Sequence, residues 1–77
     1  MPHIALKMLG RRTEAQKRAA AEALTKTLAE TLGCPEKFIS MSIEEYTPAE
    51  WQDIFREQVT ENDALVVTPQ YDPKDLL

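Results

Sequence analysis

The sequence contains a single cysteine, Cys34, and a single histidine, His3, among its 77 residues. One cysteine cannot form an internal disulfide, and one cysteine with one histidine gives too few ligands for a zinc site of the usual kind. Basic residues are also few, 9 against 13 acidic ones, and they form no dense basic patch. These shortages exclude a disulfide scaffold, predict no metal site, and argue against a nucleic-acid-binding protein.

Long apolar runs are lacking as well. No segment approaches the length of a membrane span, and the first ten residues lack the continuous apolar core of a secretory signal. We therefore expect a cytoplasmic protein with no membrane partner. At this length a single domain over residues 1–77 is expected, and a lone chain of this size is only marginally stable. Without disulfide or metal, oligomerisation is the expected source of further buried surface.

The first half of the chain has the pattern of a strand followed by a long helix. Apolar residues alternate with other residues over His3–Leu9, which is typical of a strand with one apolar face. Thr13 and Gln16 have the spacing of a capping box, and Glu14–Leu32 is rich in strong helix formers. Gly33 is a natural helix stop. A strand and a helix are therefore predicted in direct succession.

A second strand is predicted over residues 37–45, where Ile39, Met41 and Ile43 alternate with other residues. Strand, helix and strand in this order form a βαβ unit, in which the two strands are parallel. The predicted fold class is therefore α/β (α+β). Because two strands make too small a sheet to be stable alone, and the helix covers only one face, we expect two or more copies of the chain to pack sheet against sheet.

Further helical structure and a surface arm are predicted after the second strand. Thr47, Pro48 and Glu50 mark a helix start with a second capping box. A short helix is expected over residues 62–68, ended by Pro69. The tail, residues 70–77, is expected to lie as an arm on the surface or on a partner.

Several of these features occur together in one known family. Pro2 at the head of the first strand, a Gly-Arg turn ending near Arg12, the long amphipathic helix and the second strand resemble the tautomerase superfamily, and within it the 4-oxalocrotonate tautomerase family. The opening residues and the segment 48–52 look most like its PptA-like branch. The resemblance implies a cofactor-independent isomerase that interconverts keto and enol groups. It implies a homodimer for the PptA-like branch, whereas the shorter relatives form hexamers.

The resemblance also implies roles for individual residues. An amino-terminal proline is the general base in the family, and this role falls on Pro2 once Met1 has been removed. Arg12, with Arg11 beside it, takes the position of the arginine that binds a substrate carboxylate. Trp51 takes the position of the aromatic ring that closes the pocket. An α-amino group titrates near pH 7.7–8.0 in peptides, and burial or a nearby arginine lowers that value, so such a base is available at neutral pH.

One position departs from the better-known relatives and bears on the substrate. Ser40 stands where those relatives carry a second arginine, which disfavours a dicarboxylate and favours a 2-keto monoacid such as phenylenolpyruvate. Ser40 is also a candidate hydrogen-bond donor to this substrate. Phe55 and Phe38 are candidates for further apolar walls beside Trp51.

Two alternatives remain open from the sequence. Glu50 and Asp53 flank Trp51 and could activate a water, so that the same pocket would hydrate or dehalogenate an unsaturated acid. Pro2 could also be only structural, because the first residue of a strand is a place where a missing N–H does no harm. In that case the chain would be a small, non-catalytic oligomeric interaction module.

Overall fold

The structure is a computed structural model that describes residues 2–77. Removal of Met1, on which the predicted role of Pro2 depends, lies outside the described residues. None of the helices within residues 2–77 has the length and apolar composition needed to cross a membrane. The regular elements are β1 (His3–Leu9), α1 (Glu14–Leu32), a 3₁₀ turn (Glu36–Phe38), β2 (Ser40–Tyr46), α2 (Pro48–Phe55), a wider helical turn (Arg56–Thr60) and a terminal 3₁₀ turn (Pro73–Leu76).

The two strands pair in parallel, which confirms the predicted βαβ unit. Their register runs from His3 opposite Ser40 to Leu9 opposite Tyr46. The middle pair, Leu6 and Ile43, lines the hollows beneath α1, so α1 covers that face of the sheet. Because side chains alternate across a strand, the other face presents the polar and small residues of β1 and β2. Within the described residues, α2 and the segment after it lie against this second face.

Both predicted helix starts are confirmed in detail. The Thr13 hydroxyl accepts the Gln16 N–H at 3.0 Å, and the Gln16 side chain accepts the Thr13 N–H at 2.9 Å. Thr47 and Glu50 make the same reciprocal pair at 3.1 and 2.8 Å. The end of α1 is confirmed as well, since Gly33 adopts φ 69° and ψ 38°, the left-handed conformation that glycine accepts without strain.

The second strand begins three residues later than predicted. The Phe38 N–H donates to the Pro35 carbonyl at 3.1 Å, and the Ile39 N–H donates to the Glu36 carbonyl at 2.9 Å, so this stretch is a tight turn. Phe38 therefore lies in the turn before β2, and its side chain is 44% exposed. Apolar alternation alone does not distinguish a strand from a turn that follows a proline.

The predicted short helix over residues 62–68 is wrong, whereas the surface arm is confirmed. The Asn62 side chain accepts the Ala64 N–H at 2.9 Å, and the Asn62 carbonyl accepts the Leu65 N–H at 3.2 Å. Asparagine stabilises such a turn locally in competition with a helix, and the chain is irregular from there to residue 72. The tail then lies on α2, where the Gln52 side chain donates to the Pro73 carbonyl at 2.8 Å.

The chain buries very little of itself. Ala29, at 8% exposure, is the only buried residue among those described, and the accessible surface is 5923 Å². A compact protein of 8.7 kDa exposes about 4,700 Å². The radius of gyration is 14.0 Å, against about 11.5 Å for a compact chain of this length. The excess includes large apolar side chains such as Leu32, Val66 and Val67, which are 59%, 92% and 80% exposed.

Candidate functional site

The predicted site residues fall into two groups at opposite ends of the sheet. Pro2 lies at the amino end, where its carbonyl accepts the Ser40 N–H at 3.2 Å, and the residue is half-buried. This hydrogen bond ties the head of β1 to the first residue of β2. Phe38 lies two residues before Ser40, in the turn that leads into β2. Pro2, Ser40 and Phe38 therefore share one end of the sheet, which we call the amino end.

His3 connects the hydroxyl groups at the amino end. Its Nδ1 lies 2.7 Å from Ser40 Oγ, and its Nε2 lies 3.3 Å from Ser42 Oγ. Sequence reasoning missed this cluster, although the parallel register places all three residues on the same face. The Ser40 hydroxyl thus already has a hydrogen-bond partner within the chain. As a hydroxyl, it places no positive charge at the amino end.

The second group lines a cleft at the other end of β1, which we call the carboxyl end. This open cleft has a volume of about 400 Å³ and is lined by Arg11, Arg12 and Trp51, together with residues of β1 and the tail. The Gly10 N–H donates to the Tyr46 carbonyl at 3.2 Å and so anchors the turn to the end of β2. The predicted carboxylate anchor and the predicted aromatic wall are therefore neighbours.

Arg11 has an unusual backbone conformation for its residue type. Its φ is 85°, and it is the only non-glycine residue with a positive φ in the described chain. A side chain in this region costs about 1 kcal/mol relative to the ordinary conformation. Both Arg11 and Arg12 are exposed, and neither takes part in an ion pair within residues 2–77. Two cations are thus available to an anion from outside the chain.

Trp51 is held at the cleft by two other aromatic residues. Its ring centroid lies 6.4 Å from that of Tyr46, and its indole N–H donates to the Tyr71 hydroxyl at 2.9 Å. Phe55 meets the Tyr71 ring edge-on at 5.6 Å and lines an adjacent apolar hollow that also contacts Trp51. Sequence reasoning missed Tyr71, because a single aromatic residue in an irregular tail has no periodic pattern.

A closed polar cluster lies beside the cleft on the sheet face opposite α1. Lys7 Nζ donates to Glu44 Oε1 at 2.9 Å and to the Tyr46 hydroxyl at 3.3 Å, and Tyr46 donates to Glu44 Oε2 at 3.0 Å. The hydrogen bonds from Lys7 and Tyr46 hold the pKa of Glu44 below its ordinary value, and those to Glu44 and Tyr46 raise the pKa of Lys7. The charge of Lys7 is therefore already balanced within the chain.

The two carboxylates considered for water activation are engaged elsewhere. Glu50 accepts the Thr47 N–H at 2.8 Å as part of the capping box. Asp53 accepts a hydrogen bond from the Arg56 guanidinium at 2.9 Å. No contact of either carboxylate among the described residues points to hydration or dehalogenation.

One chain does not bring Pro2 and Arg12 together. The seven residues of β1 separate them, and a strand rises about 3.3 Å per residue, so Pro2 and Gly10 are about 25 Å apart. A small acid cannot span that distance.

Comparison with known proteins identifies the family. Residues 2–52 match the Tautomerase family, described as tautomerase enzyme. The chain belongs to the tautomerase family. Probable tautomerases of Bacillus cereus and Bacillus anthracis are each 51% identical to it over 45 residues, which cover 58% of this chain and 74% of theirs.

A solved structure agrees with this assignment. The crystal structure of TomN, a 4-oxalocrotonate tautomerase homologue of the tomaymycin biosynthetic pathway, is 36% identical, with a TM-score of 0.63 over 65% of this chain and 77% of TomN. The predicted family and fold class are confirmed, and this tautomerase is an enzyme of the isomerase class.

Proposed function

We propose that this tautomerase is a cofactor-independent keto–enol isomerase of 2-keto monoacids, with phenylenolpyruvate as a representative substrate. The observation that supports it most strongly is Pro2, which begins the matched segment and directly precedes β1. With Met1 removed, Pro2 is the general base. Its neutral nitrogen accepts the proton of the enol hydroxyl, and the resulting cation gives a proton to the adjacent carbon, so that the amine is regenerated and the keto acid is formed.

Arg12 binds the substrate carboxylate in this proposal, with Arg11 as a second cation. A planar guanidinium suits a carboxylate because it can donate two parallel hydrogen bonds. Neither arginine has an ion-pair partner within the described residues that would compete. Trp51 and Phe55 form apolar walls beside the arginines.

The preference for a monoacid follows from the amino end of the sheet. The hydroxyl of Ser40 lies 2.7 Å from a nitrogen of His3, and Ser40 brings no cation with which to bind a second carboxylate. An uncompensated carboxylate is costly to desolvate. A substrate whose far end is apolar or aromatic avoids this cost, and Phe38 is available as a wall for it.

The site is proposed to form between two copies of the chain. Because Pro2 and Gly10, which opens the turn that carries Arg12, lie about 25 Å apart in one chain, the base of one copy must meet the arginines of another. The large exposed surface supports such an assembly. We propose a homodimer of single-domain chains, as in the PptA-like branch, with a hexamer as the alternative.

The test compares two forms of the chain that differ only at the amino terminus. In the first, mass spectrometry verifies that Met1 has been removed; in the second, a short Gly-Ser extension keeps the nitrogen of Pro2 as an amide. Ultraviolet absorbance then follows ketonisation of phenylenolpyruvate. We expect the processed form to be active and the extended form to be inactive. Equal rates would refute the base assignment, and faster hydrolysis of 3-chloroacrylate than ketonisation would replace the proposed reaction with dehalogenation.

A further inference from the structure

The tail beyond the matched family segment adds a residue to the cleft. The family match ends at residue 52, yet the chain returns to α2 in its last eight residues. Asp72 accepts the Lys74 N–H at 3.0 Å and so begins the terminal 3₁₀ turn, and the Pro73 carbonyl is held by Gln52 at 2.8 Å. These contacts fix the segment that carries Tyr71. Together with Leu76, Tyr71 lines the cleft that contains the arginines.

The Tyr71 side chain is oriented by two contacts. Its hydroxyl oxygen accepts the indole N–H of Trp51 at 2.9 Å, and its ring meets the ring of Phe55 at 5.6 Å with an interplanar angle of 68°. Edge-to-face pairs of this kind favour one ring orientation. Tyr71 is nevertheless 43% exposed, so the phenol is both positioned and accessible.

The hydroxyl of Tyr71 has an unused donor. A phenol has one O–H donor and can accept from other groups. Trp51 uses an acceptor site of the oxygen, and no acceptor for the Tyr71 proton exists among residues 2–77. Tyr46, the only other tyrosine, differs in this respect, because its O–H donates to Glu44 at 3.0 Å.

The positive charges around the Tyr71 O–H group favour an anion as its acceptor. The cleft holds Arg11 and Arg12, and neither has an ion-pair partner in the described chain. The third cation of the cleft, Lys7, is balanced by Glu44 at 2.9 Å. Two free guanidinium groups and one free O–H donor match the several acceptor positions of a carboxylate.

We infer that Tyr71 is a further substrate-binding residue, whose hydroxyl donates a hydrogen bond to the carboxylate held by Arg12. The inference rests on the proposed function only in taking this cleft as the substrate pocket. Trp51 acts as a positioning residue in this arrangement, since its N–H occupies the oxygen of Tyr71 and leaves the proton for the ligand. The tail therefore contributes to recognition of the acid group.

Binding of a simple carboxylate tests this inference without turnover. Trp51 is the only tryptophan of the chain and touches Tyr71, so its fluorescence reports on the cleft. The processed, full-length protein is titrated with phenylacetate and, in parallel, with phenylacetamide, which has the same shape and no charge. For Tyr71→Phe we expect about tenfold weaker binding of phenylacetate, because one hydrogen bond to a charged group is lost. Binding of phenylacetamide is expected to stay unchanged.

Tyr46→Phe is the matched control, since it removes the same atom from the other tyrosine. We expect it to bind phenylacetate as the unmodified protein does. The inference is wrong if Tyr71→Phe binds phenylacetate normally, if it loses both ligands equally, or if Tyr46→Phe has the same effect. It is also wrong if the unmodified protein does not prefer the carboxylate. A protein that binds phenylacetate through Tyr71 but ketonises no enol would refute the proposed function and leave this inference standing.

Discussion

The two ends of the sheet differ in the chemistry that they offer. The amino end carries Pro2 with two hydrogen-bonding neighbours, His3 and Ser40. The carboxyl end carries two arginines without an ion pair among residues 2–77, and the aromatic rings around Trp51. Each end has what the other lacks: one a candidate base, the other a site for an anion. In the proposed function, proton transfer and acid binding therefore fall at opposite ends of one chain, and the proposed site requires more than one copy.

The largest effect is expected from misplacing the proposed base at the amino end. Pro2→Ala keeps an amino-terminal amine but loses the rigid ring that fixes the nitrogen. General acid–base catalysis contributes at least about 100-fold to a rate, and we expect ketonisation of phenylenolpyruvate to fall by about that factor. Circular dichroism should show an intact fold. His3→Ala, at the same end, should change the rate far less. An unchanged rate in Pro2→Ala would contradict the assignment of the base to Pro2.

A smaller effect, of a different kind, is expected at the carboxyl end. Arg12→Ala removes the proposed carboxylate anchor and should raise KM by about tenfold, with a lesser effect on kcat, because a hydrogen-bonded charge pair is lost in binding. Steady-state kinetics on phenylenolpyruvate measure both constants. Arg18→Ala, which alters an exposed arginine of α1 outside the cleft, is the control. A change in kcat alone would argue that Arg12 is not an anchor.

Mixing these two variants tests whether the ends meet between chains. A heterodimer of Pro2→Ala and Arg12→Ala has one site with both groups intact and one with neither. Random exchange of subunits in a dimer should therefore restore about one quarter of the normal activity. The measurement is the rate, at substrate concentrations well below KM, after the variants are unfolded and refolded together, compared with the sum of the two refolded separately. Activity no greater than that sum would place base and anchor in one chain.

The parts of this molecule that the sequence predicts are those fixed by near neighbours. Each capping box joins residues three positions apart, and alternation over β1 needs only the strand itself. The helix stop at Gly33 is equally local. Even the separation of Pro2 from Arg12 can be anticipated, because a predicted strand of seven residues lies between them.

The parts that were missed depend on pairing between distant segments. His3 meets Ser40 and Ser42 because of the register of β1 against β2. Tyr71 meets Trp51 because an irregular tail returns to α2. The failed helix after α2 is a local error of another kind, in which the side chain of Asn62 stabilised a turn that composition did not suggest.

The conformation of Arg11 gives a prediction about stability at the carboxyl end. Since its φ is 85°, Arg11→Gly should relieve about 1 kcal/mol of strain. For a chain of this size that corresponds to a rise in Tm of about 5 °C. Thermal unfolding followed by circular dichroism measures it. Arg12→Gly is the control: Arg12 has no positive φ, so glycine there should lower Tm. Equal shifts in both variants would show that charge, not backbone strain, dominates in this turn.

The smallest effect concerns the polar cluster between the two ends. Glu44 has a lowered pKa in the folded chain because Lys7 and Tyr46 donate hydrogen bonds to it. Its contribution to stability is therefore full above its ordinary value of 4.5 and is lost as the pH falls through the lowered value. Glu44→Gln should therefore lose less Tm than the unmodified protein when the pH is lowered below 4.5. Part of the loss should remain, because Lys17 lowers the pKa of Glu14 in the same way. Glu22→Gln is the control, because Glu22 is an exposed carboxylate with no ion-pair partner in the described chain. Its Tm should fall with pH as that of the unmodified protein does. An equally reduced loss of Tm in both variants would show that the polar cluster does not contribute to the acid sensitivity.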